Sequence, residues 1–151
     1  MKVNLEYESI DMDGEKHISS VLAIMEIRDA DYRLVFVEDL SGEGKMTRST
    51  MYLSSDSVRI IREGELKTDF MFARDLVHNT GYATPYGLLP VTLTTKNLEF
   101  SVSHPDFKEK NALRSEGFPK DYLLSAFVEY DIEISGQSMP MSIRVVVTGI
   151  S

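Results

Sequence analysis

The clearest pattern in the sequence is a strict alternation of apolar and polar positions near the C-terminal end of the chain. Every second residue is apolar from Leu124 to Ile134, and again from Met139 to Val147. Because successive side chains of a β-strand point to opposite faces, this period of two predicts two strands that each bury one face. Ser135-Gly136-Gln137 separates the two segments and is typical of a tight turn. The predicted hairpin places these side chains in the main core: Val128, Tyr130, Ile132, Ile143 and Val145.

The same alternation recurs through most of the chain and predicts roughly ten short strands. Val3–Tyr7 and the β-rich run that begins at Tyr32 both show it. The segment Ile18–Ile27 fits helical spacing and strand spacing equally well, although the short turn at Arg28–Asp31 favours a hairpin. Further along, Lys96-Asn97 separates two alternating runs.

Tight turns join nearly every predicted strand to the next, which favours an antiparallel sheet with up-and-down connections. Closing such a sheet on itself removes the exposed strand edges. We therefore predict an all-β fold, a roughly ten-stranded antiparallel up-and-down β-barrel formed by a single domain over residues 1–151. The alternation stops from His104 to Asp121, where Pro105, Gly117 and Pro119 predict a long loop at about 104–121.

The charge and hydropathy of the chain argue against two classes of partner. The chain has 16 basic and 24 acidic residues, which gives a net charge of −8. Affinity for nucleic acid depends largely on Lys and Arg that neutralise phosphates, so a nucleic-acid partner is not expected. The longest apolar run, Val21–Met25, is far shorter than the roughly 20 residues that span a bilayer, so no membrane association is expected either.

Residue types also limit the chemistry and the compartment. The chain has no cysteine, which excludes disulfides, thiolate nucleophiles and cysteine-based metal sites. His17, His78 and His104 do not have the spacing of metal ligands, so neither a metal nor another cofactor is expected. The first residues contain no apolar segment of the kind found in secretory signals, and a cytoplasmic location is therefore expected.

The densest cluster of polar and aromatic residues is the segment His78–Gly87. Alternation places His78 and Tyr82 on one face, and Thr84-Pro85-Tyr86-Gly87 predicts a turn. Arg62 falls in register with apolar neighbours, where it either binds a ligand or extends to solvent at the strand end. Tyr and Arg suit an anionic or aromatic small molecule, because one stacks and the other forms paired charge-assisted hydrogen bonds. The predicted ligand-binding residues are Arg62, His78, Tyr82 and Tyr86, and no catalytic residue is assigned.

Four short segments together resemble the YwiB-like family of bacterial proteins. They are the strand that begins at Tyr32, Arg62-Glu63-Gly64, the Tyr82–Gly87 segment and Tyr130-Asp131-Ile132. The resemblance extends from about Tyr32 to Val147 and depends on the order and spacing of the segments. It implies a calycin-like barrel related in shape to lipocalins, and it implies no activity. The chain has no Trp, so the Gly-x-Trp signature of lipocalins is absent and extracellular transport is not implied.

Three functions are compatible with such a barrel. The first is non-catalytic binding of a small molecule inside or at the mouth of the barrel, because barrels of eight or slightly more strands enclose one small ligand. The second is a structural or protein-interaction module whose interior is filled with side chains. The third is a hydrolase that uses carboxylates or His78, which would require a solvent-reachable pair of groups with a raised pKa.

The net charge of −8 leads to a testable prediction about nucleic acids. Fluorescence anisotropy with labelled DNA and RNA at physiological salt should show no saturable binding, because the chain carries a net charge of −8. Saturable binding in the micromolar range would contradict this expectation.

Overall fold

The computed structural model describes residues 1–10, 14–39, 44–64, 67–103 and 122–150. These residues form ten β-strands and contain no helix that is long and apolar enough to cross a membrane. The predicted loop at 104–121 lies outside the described residues, as do parts of the predicted turns near residues 11–13, 40–43 and 65. The strands are β1 Lys2–Ile10, β2 Lys16–Ile27, β3 Tyr32–Glu38, β4 Thr47–Leu53, β5 Ser57–Glu63, β6 Thr68–Ala73, β7 Val77–Thr84, β8 Gly87–Val102, β9 Tyr122–Ile134 and β10 Gln137–Gly149.

All ten strands belong to one antiparallel sheet with the order β6-β5-β4-β3-β2-β1-β10-β9-β8-β7. Strands that follow one another in sequence lie side by side, apart from β6 and β7 at the two ends of this order, and the first strand β1 pairs with the last strand β10. In the described part of the chain, the two ends of the sheet meet through one bridge, in which Lys67, just before β6, and Ala83 of β7 exchange backbone hydrogen bonds of 3.2 and 3.0 Å. The predicted all-β, up-and-down barrel of about ten strands is thus confirmed as a nearly closed barrel, a shape consistent with the calycin-like expectation.

The predicted C-terminal hairpin forms with the expected register. Ile134 pairs with Gln137, and the two residues between them, Ser135 and Gly136, have φ angles of 53° and 79°. Positive φ at both central positions defines the type I′ turn, whose twist matches that of the flanking strands and which favours glycine. All five core residues predicted from this hairpin are buried, with exposed fractions between 0% for Val145 and 8% for Ile143.

The ambiguous segment Ile18–Ile27 is part of strand β2. Its backbone is paired with β1 from Lys2–Ile24 to Ile10–Lys16. Ala23 and Met25 point into the barrel and are each 2% exposed, whereas Ile18, Leu22 and Ile24 point outward and are 52–63% exposed. Both faces of β2 therefore carry apolar residues, which explains why its sequence also fits a helical spacing.

The interruption at Lys96-Asn97 is a bulge within one strand. The pairing of β8 with β9 shifts between Thr95 and Asn97, and the strand continues to Val102 without a turn. The extra residue changes which alternate positions face inward, so Leu93 and Leu98 are both buried although they are five positions apart.

Side chains fill the middle of the barrel. The rings of Phe72 and Tyr130 have centroids 4.6 Å apart, and Tyr32 stacks on Phe100 at 6.0 Å. Apolar residues from most of the strands are completely or almost completely buried around these rings, among them Leu5, Leu34, Met51, Leu53, Ile60, Leu93, Leu98 and Leu124.

Truncation of a core isoleucine should destabilise the fold strongly. Ile132→Ala and Ile143→Ala each remove a buried side chain from the two best-patterned strands, and we expect each to lower the free energy of unfolding by about 2–5 kcal/mol. Ile27→Ala is the matched control, because Ile27 is 54% exposed at the end of β2 and should lose about 1 kcal/mol or less. Urea denaturation measures all three, and equal midpoints for core and control variants would refute the assignment of the core.

Candidate functional site

Two opposite charges lie inside one end of the barrel. Arg62 follows the buried Val58 and Ile60 at alternate positions of β5, and Glu38 follows Leu34 and Phe36 in the same way on β3. The Arg62 side chain is 21% exposed and the Glu38 side chain only 9%. Both are therefore charged residues at inward positions of otherwise apolar strands.

Glu38 is compensated by three groups. The Tyr7 hydroxyl donates a hydrogen bond to its Oε2, and the Ser49 hydroxyl donates one to its Oε1 at 3.0 Å. The Arg62 Nε lies 3.9 Å from the same Oε1, which is close enough for an ion pair but too far for a hydrogen bond. These contacts offset the loss of hydration that the buried carboxylate would otherwise suffer.

Two tyrosines near Arg62 hold their protons tightly. Burial, followed by the hydrogen bond to Glu38, raises the pKa of Tyr7 to about 12. Burial likewise raises the pKa of Tyr130 to about 12. In both cases the positive charge of Arg62 partly opposes the rise, so its guanidinium acts on β1 and β9 across the barrel. Both hydroxyls therefore keep their protons well above neutral pH.

Arg62 also belongs to a row of inward side chains that crosses three strands. It is paired with Thr68 of β6, and the antiparallel bridge between Lys67 and Ala83 brings Tyr82 of β7 to the same end of the barrel. Directly opposed residues of neighbouring strands have Cβ atoms about 5 Å apart. Among the described residues, neither the buried Arg62 Nε nor the buried Thr68 Oγ1 has a hydrogen-bond partner. We call Arg62, Glu38, Tyr7, Ser49 and Thr68 the interior polar cluster.

His78 faces inward but lies away from this row. It pairs with the buried Leu93, and its Nε2 is 3.2 Å from the backbone oxygen of Asp69, across the seam between β6 and β7. It is four residues from Tyr82, or roughly 13 Å along the strand. The arrangement points to a structural role, because the imidazole ring contacts the backbone carbonyl of Asp69 on β6, the strand at one end of the sheet.

The Asp69 carboxyl beside this seam does not make His78 part of an acid–base pair. Arg59 holds it on the outer face with hydrogen bonds of 2.9 and 2.6 Å. These hydrogen bonds lower the pKa of Asp69, although burial partly opposes them. A hydrolase at this position would need a carboxyl with a raised pKa, so Asp69 gives the hydrolase hypothesis no support.

The fourth predicted ligand-binding residue, Tyr86, is not brought to the cluster. It occupies the turn between β7 and β8 and is 100% exposed. The turn itself forms at Pro85-Tyr86 as predicted, but it extends beyond the barrel wall. The structure therefore places Arg62 beside Thr68, with Tyr82 next to the Lys67–Ala83 bridge at the same end, and places His78 and Tyr86 elsewhere.

The sequence did not lead us to four residues of the cluster, namely Glu38, Tyr7, Ser49 and Thr68. For Glu38, however, the alternation of apolar and polar residues contained a signal. Glu38 continues the alternation of Leu34 and Phe36 in the same way that Arg62 continues that of Val58 and Ile60. Both Arg62 and Glu38 can be found by one rule: each is an ionisable residue at a position where the alternation calls for an apolar one. Tyr7, Ser49 and Thr68 show no such signal, because they are common on either face of a strand.

A separate cavity of about 400 Å³ lies on the outer wall, and it does not include the predicted residues. The guanidinium of Arg144 lies 5.1 Å from the ring centroid of Phe127, which is a cation–π distance. Lys16 forms an ion pair with Glu8 at 3.6 Å in the same region. The cavity, which we call the outer groove, is lined by Glu8, Ile10, Lys16, Phe127, Glu129, Ser142 and Arg144.

The fold and the cluster together define a class of protein, a nearly closed antiparallel β-barrel with a charged pair enclosed at one end. The chain belongs to the family described as Domain of unknown function (DUF1934), whose model matches residues 3–143. The fold matches the crystal structure of the ywiB protein from Bacillus subtilis with a TM-score of 0.69 and 12% sequence identity, over 99% of this chain and 92% of that chain. The predicted YwiB-like family is thereby confirmed. No curated protein matches the sequence significantly.

The two tyrosines should make the fold sensitive to alkaline pH. Because each folded pKa of about 12 lies above the ordinary 10.0, their contribution to stability is complete below pH 10 and is lost as the pH rises through 12. A rise of that size corresponds to roughly 2–3 kcal/mol for each residue. Urea unfolding at increasing pH should show the loss, and tyrosinate absorbance should show ionisation near pH 12.

Tyr130→Phe and Tyr7→Phe identify the groups responsible. Each variant should lack one late-titrating tyrosine and should lose less stability above pH 10 than the unmodified chain. Unchanged tyrosinate titration in both variants would show that other tyrosines ionise late and that these two do not.

Proposed function

We propose that this barrel binds a small molecule with a carboxylate or similar planar acceptor group at the end occupied by the interior polar cluster. The observation that carries the proposal is a pair of neighbouring buried donors, the Arg62 Nε and the Thr68 hydroxyl, without a hydrogen-bond partner among the described residues. Buried polar groups in folded proteins are nearly always hydrogen-bonded, so adjacent exceptions on one wall favour an external acceptor.

The chemistry of the cluster favours an acceptor over a donor. Glu38 already accepts hydrogen bonds from Tyr7 and Ser49 and lies within ion-pair distance of Arg62. The guanidinium has five N–H donors arranged as a planar fork, which matches the two oxygens of a carboxylate. Tyr82, half-buried and packed against the core, continues the row with an aromatic ring. An aromatic carboxylate would therefore contact both the planar donors of Arg62 and the ring of Tyr82.

The packing of the barrel limits how deep such a ligand lies. The contact between Phe72 and Tyr130 and the fully buried Met51 and Leu34 fill the space beyond the cluster. The proposed site is therefore at the mouth of the barrel and not in a central cavity. The filled interior also supports the alternative function, a structural or protein-interaction module, for which Arg62 and Glu38 would be a purely structural pair.

The test is an NMR titration of the labelled chain with benzoate, with benzamide as the neutral analogue and acetate as the analogue without a ring. Benzoate should shift backbone signals near Arg62, Thr68 and Tyr82, and should bind more tightly than the two analogues. Arg62→Lys keeps the charge but removes the fork, and we expect it to weaken benzoate binding by about tenfold or more. Arg59→Lys is the matched control, because Arg59 lies on the same strand but points outward to Asp69.

Thr68→Val gives a second and independent prediction. The substitution replaces a buried hydroxyl that lacks a partner among the described residues with a methyl group of similar size. We expect it to leave the free energy of unfolding of the unliganded protein unchanged or slightly higher, because desolvation of the hydroxyl is no longer required. The same variant should bind benzoate more weakly, since the hydroxyl is one of the proposed donors.

Two outcomes would contradict the proposal. Titrations that leave all signals near the cluster unmoved with every carboxylate would favour the filled-barrel module. Binding that is abolished by Arg144→Ala and unaffected by Arg62→Lys would move the site to the outer groove, where Arg144 lies.

A further inference from the structure

The outer face of β2 carries an apolar stripe formed by Ile18, Leu22 and Ile24, whose side chains are 63%, 63% and 52% exposed. Val37 of the neighbouring β3 is also apolar and 48% exposed. We propose that a second copy of this chain packs on the stripe, with the two β2 strands antiparallel across a two-fold axis. This inference is independent of the function proposed for the interior polar cluster.

The stripe differs from the outer faces around it. On β1, the outward residues opposite Leu22, Ser20 and Ile18 are Asn4, Glu6 and Glu8. Single exposed apolar residues are common on protein surfaces, but contiguous ones with a polar rim mark interaction sites. β2 already contributes Ala23 and Met25 to the core, so its outward isoleucines and leucine are not needed to build the barrel.

The order of residues along β2 identifies the occupant. Its outward positions are, in sequence, Lys16, Ile18, Ser20, Leu22, Ile24 and Glu26. When a second β2 runs in the opposite direction across this face, Lys16 lies over Glu26 of the second copy and Ile18 lies over Ile24. Leu22 then lies over Ser20, whose small side chain leaves room for it. The stripe is therefore complementary to itself only in the antiparallel direction.

The flanking strand β1 has the same complementarity. Glu8 is paired with Ile18 in the sheet, and Lys2 is paired with Ile24. A two-fold axis that lies between the sheets and runs perpendicular to the strands keeps β1 over β1 of the second copy. It consequently brings Glu8 over Lys2 of the second copy and Lys2 over Glu8. A parallel arrangement would instead place Lys16 over Lys16 and Glu26 over Glu26.

The dimensions suit face-to-face packing of two sheets. The ten residue steps from Lys16 to Glu26 span roughly 33 Å of strand. Sheets that pack face to face lie about 10 Å apart, and their strands are aligned to within about 30°. Leu22 of one copy packs over Ser20 of the second copy, which allows the close contact. The pairs of Lys16 with Glu26 at both ends favour the antiparallel direction of the two β2 strands.

The test is the molar mass in solution, measured by sedimentation equilibrium over a concentration series that reaches the high micromolar range. The chain should form a dimer. Leu22→Lys places a charge in the middle of the stripe, and we expect it to raise the dimer dissociation constant by about tenfold or more. Val77→Lys is the matched control, because Val77 is 56% exposed on β7 and should leave the dissociation constant unchanged.

Charge reversal tests the direction of packing. Lys16→Glu and Glu26→Lys should each raise the dissociation constant several-fold, because each puts like charges together at both ends of the interface. The double variant should return it to within about threefold of the original value. Within one copy Lys16 pairs with Glu8 and Glu26 with Arg33, and the double variant restores neither pair. Recovery therefore reports contact between copies.

Sedimentation of the chain and its variants distinguishes the proposed dimer from the alternatives. A chain that remains monomeric at all concentrations, whether because the stripe is uncovered or because it binds a different protein, overturns the proposal. A dimer that is unaffected by Leu22→Lys lies on another surface and also overturns it. A dimer that depends on Leu22 but is not restored by the double charge reversal refutes the antiparallel arrangement. Unfolding curves of the dilute variants must match that of the unmodified chain, which separates dissociation from misfolding.

Discussion

Closure of the sheet sends every second side chain of ten strands into one enclosed space, and the rest of the structure depends on that constraint. Apolar residues satisfy it by packing, as Phe72 and Tyr130 do at the centre of the barrel. A charged residue at an inward position has no such solution, because it must find a partner within the barrel or recover contact with water. Because alternation directs Arg62 and Glu38 into the closed sheet, both residues must have a partner inside the barrel or remain in contact with water.

The interior polar cluster meets this requirement only in part. Glu38 is well compensated, with two hydroxyl donors and a guanidinium nearby. Arg62 and Thr68 are less so, since a buried donor on each lacks a partner in the described part of the chain. This imbalance is the basis of the site that we propose for a ligand with an acceptor group. The same strand alternation also produces the apolar stripe on the outside of β2, so the two proposals arise from the two faces of one sheet.

Most of the strands were predictable from the sequence, whereas only one residue of the interior polar cluster was. The hairpin of β9 and β10 was predictable down to its core residues, because local alternation and a Ser-Gly turn determine both. Arg62 was recognisable as an inward charge for the same reason. Glu38 was overlooked although it obeys the same pattern, and Tyr86 was included because it is near Tyr82 in sequence. Proximity in sequence does not bring Tyr86 close to Arg62, since the turn carries Tyr86 out of the barrel.

By itself the sequence determined the all-β class, the approximate number of strands and the face that each clearly alternating strand buries. These properties follow from interactions between residues two positions apart and from the preferences of turn residues. Only the tertiary structure decided which inward residues meet. Arg62, Glu38 and Tyr7 lie on three strands that are distant in sequence, and the order of the closed sheet brings them to the same end. Alternation gives the face of a side chain but not its neighbours, because neighbours depend on register and closure across the whole sheet.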